Sequence, residues 1–271
     1  MIESIERIFT IDSPGMECYS TLKRPLDHYE KGLFVIEGDK VVKRFLDSSL
    51  TLVSVLFTDK WLEVFRENIE QRDEPVKVYV ASIEHLAQIV GYNYHHGIMA
   101  VGKLPAALTL DEAVADVKGP RLVVALDKLD NSENTGVLVR NCGACGVHAL
   151  VVGETSADPY LRRAVRNSMG TVFRVPVVKS KSLRESLSLL KTQYGFQIIA
   201  AHPRVDSLPL YRAELTKDIC IVFGNEGDGV SQEIIDICDY TVSIPMAPGI
   251  DSFNVACASA IVLYEANRQR V

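Results

Sequence analysis

The sequence has few of the features that mark membrane, secreted or disulfide-rich proteins. Its longest apolar runs have the length of strands and fall far short of the roughly 18 residues that a membrane-spanning helix needs. The opening residues, MIESIERIFTIDS, are polar and acidic, unlike a secretory signal peptide. Six cysteines in 271 residues are too few for a disulfide scaffold. These absences predict a cytoplasmic protein with no membrane partner.

The sequence also lacks an overall excess of basic residues. Its net charge is −6, so composition alone predicts no nucleic-acid partner. One segment differs, because residues 159–184 contain seven Lys and Arg residues and no acid. Such a basic band is typical of phosphate contacts, and Arg162, Arg163 and Arg166 are its candidate RNA-binding residues. A solvated helix face is the alternative interpretation.

Nucleotide and metal motifs are absent as well. No phosphate-binding P-loop occurs, and the sequence GNEGDG reverses the glycine spacing of a dinucleotide site, which disfavours a nicotinamide enzyme. Cys142 and Cys145 fall within a helical pattern, where a thiolate is not stabilised. His95 and His96 are adjacent, so their side chains diverge. We therefore expect no metal site.

The pattern that is present predicts an α/β fold. From Pro120 onward, near-continuous apolar strands alternate with helical segments, which indicates a parallel sheet with helices on both faces. Residues 33–103 have a mixed pattern that predicts a smaller α/β domain. We place a first domain at residues 1–105, a linker at 106–118 and a second domain at 119–271.

Three polar loops follow strands of the second domain. They lie within residues 130–146, 222–231 and 243–254, and each combines Asn, Glu, Ser or Arg with glycine. Ligands of parallel sheets bind at the carboxyl ends of the strands, so three such loops can converge on one pocket.

The three loops resemble, in order, the motifs of the SpoU/TrmH family of RNA ribose 2′-O-methyltransferases, in the SPOUT superfamily. The first match comprises Asn131, Asn134, Gly136 and Arg140, the second Gly224 to Gly227, and the third Ile244 to Met246 with Ser252 to Val255. Ser132 and Phe253 depart from the family, which usually has Pro and Leu there. The pieces FVIEG, VLFTDK and HHGIMAV are similar to the ribosomal-protein-like RNA-binding domain that often accompanies the family.

The resemblance implies a C-terminal trefoil knot, S-adenosylmethionine as cofactor and a homodimer. An apolar pattern on more than one face of the last helix also predicts the dimer. The implied cofactor-binding residues are Gly224, Ile244, Met246 and Phe253. The implied catalytic residues are Asn134, Arg140, Glu226, Ser252 and Asn254.

A guanidinium stays protonated at physiological pH and is therefore a poor base. We interpret Arg140 as a phosphate anchor and oxyanion stabiliser. Ribosomal RNA is favoured over transfer RNA as the substrate. The alternative is a catalytically inactive RNA-binding or assembly protein with the same fold.

Overall fold

The computed structural model describes residues 1–10, 12–22, 24–90, 96–115, 117–204 and 206–271. His95, one of the two adjacent histidines, lies outside these residues. The chain forms two compact units, Met1–Ala106 with Tyr160–Phe173, and Ala107–Pro159 with Arg174–Val271. Within the described ranges, no helix combines the length and the apolar character needed to cross a membrane.

The first unit is built on a five-stranded mixed sheet. Its strands are β1 (Ile2–Arg7), β2 (Leu33–Glu37), β3 (Leu52–Phe57), β4 (Val76–Val80) and β5 (Ile98–Lys103), in the order β1-β4-β3-β5-β2. Its helices include α1 (Glu17–Ser20), α2 (Pro25–Glu30), α3 (Asp39–Leu46), α4 (Asp59–Glu70) and α5 (Ile83–Val90). β4 pairs in parallel with β1 and β3, whereas β5 runs antiparallel to β2 and β3. The sequence missed β1, whose residues are mostly exposed.

The first unit also includes Tyr160–Phe173, which the sequence assigned to the second domain. This segment contains α8 (Arg162–Asn167) and a short 3₁₀ helix at Thr171–Phe173. The Tyr160 ring lies 5.2 Å from that of Phe34, and the Phe173 ring lies 5.2 Å from that of Phe45. Aromatic packing therefore holds this segment in a core formed by residues that are distant in sequence.

The second unit is built on a seven-stranded sheet in which all neighbouring strands are parallel. Its strands are β6 (Leu122–Leu126), β7 (Ala149–Val152), β8 (Val177–Lys179), β9 (Gln197–Ala201), β10 (Leu208–Pro209), β11 (Ile219–Phe223) and β12 (Tyr240–Ser243), in the order β10-β12-β9-β11-β6-β7-β8. Its helices are α6 (Leu110–Val114), α7 (Ser132–Ala144), α9 (Leu183–Tyr194), α10 (Gln232–Ile235), α11 (Val255–Arg270) and a 3₁₀ helix at Leu210–Arg212.

Every residue of β6 and β11 is buried, as expected for central parallel strands covered on both faces. The predicted α/β fold with a parallel sheet is confirmed, whereas the trefoil knot stays a prediction.

The segment assigned to a linker, residues 106–118, contains the helix α6. Thr109 caps it, because its Oγ1 accepts a hydrogen bond from the Glu112 N–H at 3.3 Å and its own N–H donates to the Glu112 carboxylate at 2.8 Å. Leu110, Ala113 and Val114 are buried in the core of the second unit. The first part of this segment is therefore part of the second unit's fold.

Candidate functional site

A cavity of about 320 Å³ lies at the carboxyl ends of the central strands of the second unit. Ala201, at the end of β9, pairs with Phe223 of β11 and with Val242 of β12, so these three strands end at the same level. The segments that follow them supply most of the cavity wall. The position is the one at which open parallel sheets bind ligands.

The second polar loop forms one wall of the cavity, and two of its glycines, Gly224 and Gly229, admit no side chain. Asn225 and Gly229 exchange two backbone hydrogen bonds of 3.0 and 2.9 Å, which fold the loop back on itself. A Cβ at Gly224 would lie 2.1 Å from the carbonyl carbon and oxygen of Gly229. The Gly227 N–H donates to Asn225 Oδ1 at 2.7 Å. The loop can therefore present backbone groups to a ligand at close range.

The third polar loop supplies another part of the cavity wall. Ile244, Met246, Ser252 and Phe253 line the cavity, and the side chain of Phe253 remains partly exposed. Asn254 then caps α11, since its Oδ1 accepts a hydrogen bond from the Ala256 N–H at 2.9 Å. All four residues proposed from the sequence to bind the cofactor thus lie around one cavity.

The first polar loop begins α7. Asn131 caps this helix by accepting hydrogen bonds from the N–H groups of Glu133 and Asn134 at 2.9 and 3.1 Å. The cap places Asn134 in the first turn, which faces the other two loops.

The side chain of Asn134 joins all three loops. Its Nδ2 donates a hydrogen bond to Oε1 of Glu226 in the second loop. Its Oδ1 accepts a hydrogen bond of 3.2 Å from Nδ2 of Asn254 in the third loop. The structure therefore brings together three of the five predicted catalytic residues. Ser252, the fourth, lines the cavity.

Arg140, the fifth, lies apart from this cluster. It is exposed on α7 and is not one of the described residues that line the cavity. Six residues, or about 240° of helical rotation, separate it from Asn134, so the two side chains leave α7 on different faces. Within one chain, Arg140 is not placed beside the cavity.

A residue that the sequence analysis missed also lines the cavity. His202 directly follows β9, which lies between β12 and β11 in the sheet. Its Nδ1 accepts a hydrogen bond of 3.2 Å from the Val230 N–H. Burial lowers the pKa of His202, and the charge of Arg204 lowers it further. A polar residue directly after an apolar strand was the available signal.

The basic band takes part in the packing of the first unit. Glu37 is buried, and its carboxylate pairs with Arg162 at 2.5 Å and with Arg166 at 3.1 Å. The Arg162 side chain is only 17% exposed, whereas that of Arg166 is 52% exposed. Arg163 lies on the exposed side of α8. Arg162 therefore has a packing role that the sequence did not predict, and phosphate contact by the three arginines stays a prediction.

The fold of the whole chain has a close match among solved structures. The SpoU methyltransferase AviRb from Streptomyces viridochromogenes, solved in complex with the cofactor AdoMet, is 25% identical with a TM-score of 0.79. The match covers 93% of this chain and 97% of that one.

Sequence comparison gives the same family. An uncharacterized tRNA/rRNA methyltransferase of Mycobacterium tuberculosis is 34% identical over 266 residues, which cover 95% of this chain and 90% of the relative. A 23S rRNA (guanosine-2′-O-)-methyltransferase of Ralstonia nicotianae is 33% identical over 196 residues, 72% of this chain and 78% of the relative. The SpoU rRNA Methylase family model matches residues 121–264. The chain therefore belongs to the SpoU rRNA methylase family, which confirms the predicted enzyme class, an RNA ribose 2′-O-methyltransferase that uses S-adenosylmethionine.

Proposed function

We propose that this chain methylates a ribose 2′-hydroxyl of ribosomal RNA at the cavity described above. The observation that carries the proposal is the hydrogen-bonded chain from Glu226 through Asn134 to Asn254 beside that cavity. It links the three loops whose motifs define the family. The Ralstonia nicotianae relative, named for 23S rRNA, supports ribosomal RNA as the substrate class.

The residues around the cavity fit S-adenosylmethionine. A volume of about 320 Å³ is within the range of small-ligand sites. Gly224 and Gly229 leave room for close backbone contact, and Ile244, Met246 and Phe253 supply apolar walls. When bound here, the cofactor would supply a methyl group activated by its sulfonium. The chain's part is to place the ribose hydroxyl in line with that group, which lowers the barrier by orientation.

In the transfer, the ribose oxygen would form a bond to the methyl carbon as the bond from carbon to sulfur breaks, and the hydroxyl proton would leave. Asn134 and Ser252 order the ribose, and Glu226 and Asn254 hold Asn134 in one orientation. Arg140 binds a phosphate next to the target nucleotide and stabilises charge that develops on the oxygen. The proton leaves to that RNA phosphate, because the Arg140 guanidinium is always protonated and has no acceptor site for it.

The active form is a homodimer, in which Arg140 of one subunit serves the cavity of the other. Two features support this assignment. Arg140 lies away from the cavity of its own chain, and α11 exposes a stripe at helical spacing, Cys257, Ala260, Ile261 and Tyr264. Tyr264 is 64% exposed and adds a large aromatic ring to this stripe, and contiguous exposed apolar surface is typical of protein interfaces.

The first unit supplies RNA affinity and selectivity. Its described residues contain no counterpart of the three-loop cluster, whereas its α8 carries Arg163 and the half-exposed Arg166. We assign to these two arginines the phosphate contacts and to Arg162 mainly the ion pair with Glu37.

The test is methyl transfer by the full chain to ribosomal RNA and, separately, to transfer RNA, with a calorimetric titration of S-adenosylmethionine alongside. Transfer to ribosomal RNA is the expected result. Methylation of transfer RNA alone would mean that the substrate is transfer RNA and not ribosomal RNA. RNA binding without any detectable cofactor binding would instead favour the inactive RNA-binding protein.

A further inference from the structure

His202 is held by contacts with the segments on both sides of β9. Its backbone N–H donates to the Val242 carbonyl at 3.0 Å, and its ring accepts the Val230 N–H at Nδ1. The ring packs on Gly229, where an added Cβ would lie 2.4 Å from Nδ1. Gly229 also has a φ of +70°, so both its backbone conformation and its contact with the ring favour glycine at this position. The orientation of the ring is therefore fixed before any ligand arrives.

The hydrogen bond from Val230 also fixes the tautomer of His202. A neutral imidazole has one donor and one acceptor nitrogen, and Nδ1 is the acceptor here. The proton is therefore on Nε2. None of the described residues forms a hydrogen bond with Nε2, although the residue lines the cavity. A donor of fixed position beside a ligand cavity, without a protein acceptor, calls for an acceptor on the ligand.

We propose that the Nε2–H of His202 donates a hydrogen bond to an oxygen of the bound cofactor and so ties the cofactor to the second loop through Val230. The inference rests on the proposed function, because it requires the cofactor to occupy this cavity. The acceptor is either the carboxylate of the methionine part or a ribose hydroxyl. S-adenosylhomocysteine has both groups, whereas methylthioadenosine has only the hydroxyls.

The arrangement makes cofactor binding sensitive to acid. Protonation of Nδ1 would set an N–H against the Val230 N–H and break that hydrogen bond. Because burial lowers the pKa of His202, the effect is expected below the pH range of an ordinary histidine. The charges of Arg204 and Asp206, on its own segment, act on the ring. The other charged residues that line the cavity are Glu226 and Asp228 on the second loop and Asp251 on the third loop.

Calorimetric titration of the full-length protein with S-adenosylhomocysteine tests the proposal without requiring turnover. His202→Phe keeps a ring but removes both hydrogen bonds, and we expect about 3- to 10-fold weaker binding at pH 8. The matched control is His148→Phe. His148 Nδ1 likewise accepts a hydrogen bond from a backbone N–H, that of Leu122 at 3.0 Å, but at the end of β6 that lies away from the cavity. This control should bind like the wild type. Loss of the His202→Phe effect with methylthioadenosine would identify the carboxylate as the acceptor, and its persistence would identify the ribose.

Two results would overturn the proposal. One is equal affinity of wild-type and His202→Phe proteins for S-adenosylhomocysteine, or the same weakening in acid for both. The other is a proton on Nδ1 in the nitrogen NMR spectrum of wild-type His202 at pH 8, which requires no variant to fold. If the wild type does not bind S-adenosylhomocysteine at all, the proposed function fails as well, so the two failures are distinguishable.

Discussion

At the scale of single residues, Asn254 has two hydrogen bonds that different substitutions separate. Its Oδ1 caps α11, and its Nδ2 donates to Asn134. Asn254→Asp keeps the cap, since aspartate is a good N-cap residue, but its carboxylate cannot donate to Asn134. We expect a nearly unchanged melting temperature and at least about tenfold slower methyl transfer.

The control for that experiment is Asn254→Ala, which loses the cap as well and should cost about 1 kcal/mol of stability. Thermal denaturation and single-turnover transfer measure the two effects separately. A fast Asn254→Asp enzyme would show that the link to Asn134 has no part in catalysis.

Asp218 gives a second prediction at this scale, on stability. It accepts hydrogen bonds from the backbone N–H of Arg121 at 2.6 Å and from its Nε at 3.0 Å. Burial raises the pKa of Asp218, but the hydrogen bonds and charge of Arg121 lower it more, so the net direction is downward. A folded-state pKa below the unfolded one means stability that is complete above about pH 4 and is lost as the pH falls further.

Asp218→Asn should therefore lower the free energy of unfolding by about 1.5–3 kcal/mol at pH 7. Urea unfolding as a function of pH measures the difference between the two proteins. That difference should shrink below about pH 4, as the wild-type carboxylate becomes protonated. A difference of the same size at pH 3 and pH 7 would contradict the account.

At the scale of elements, the conformation of the second loop depends more on Gly224 than on Gly227. The Cβ of Gly224→Ala would meet the backbone of Gly229, which cannot move without opening the loop, whereas in Gly227→Ala the nearest atom is Asn225 Oδ1 at 3.4 Å. We expect Gly224→Ala to abolish calorimetric binding of S-adenosylmethionine and Gly227→Ala to retain it. Equal binding by both variants would mean that the loop does not shape the cofactor site.

The sequence predicted those elements whose signal is local. Continuous apolar runs such as Leu122–Leu126 predicted the parallel sheet, and polar motifs directly after strands predicted the three loops. The apolar run VFRVPVV, residues 172–178, has the pattern of one strand. Pro176 has no N–H to donate to a neighbouring strand, however, and the chain forms a 3₁₀ turn before the short β8. His202 was missed because the position of β9 between β12 and β11 cannot be read from chain order.

At the scale of the whole molecule, contacts between segments that are distant in sequence could not be predicted from the sequence. The pattern of strands and helices predicted two domains. No local sequence feature, however, indicates that Glu37 is buried against Arg162 and Arg166. A basic band without acids looks the same in sequence whether it faces phosphates or a buried carboxylate. Burial of Leu110 and Val114 likewise depends on a core that forms only in the folded second unit.

The homodimer with Arg140 acting in the partner's cavity can be tested by mixing two inactive variants. Arg140→Ala and Asn134→Ala should each lose methyl transfer, by about 10²–10³-fold for a transition-state donor. After subunit exchange, a mixed dimer has one cavity with an intact Asn134 and a partner that supplies Arg140. We therefore expect partial recovery of transfer, with sedimentation showing a dimer throughout.

A matched control uses Tyr264→Asp in both variants, which should prevent the dimer by placing a charge on the exposed stripe of α11. No recovery in the mixed sample, with dimers present, would place Arg140 in its own subunit's site or outside catalysis.

The most direct test of the central claim is the chemical position of the transferred methyl group. Ribosomal RNA would be incubated with the full chain and S-adenosylmethionine labelled in its methyl group, then hydrolysed in alkali. We predict that the label remains in a dinucleotide resistant to alkali, since a methylated 2′-oxygen cannot attack the neighbouring phosphate, and that Asn134→Ala gives no label. Label on a base within ordinary mononucleotides, or no label in any RNA, would contradict the account.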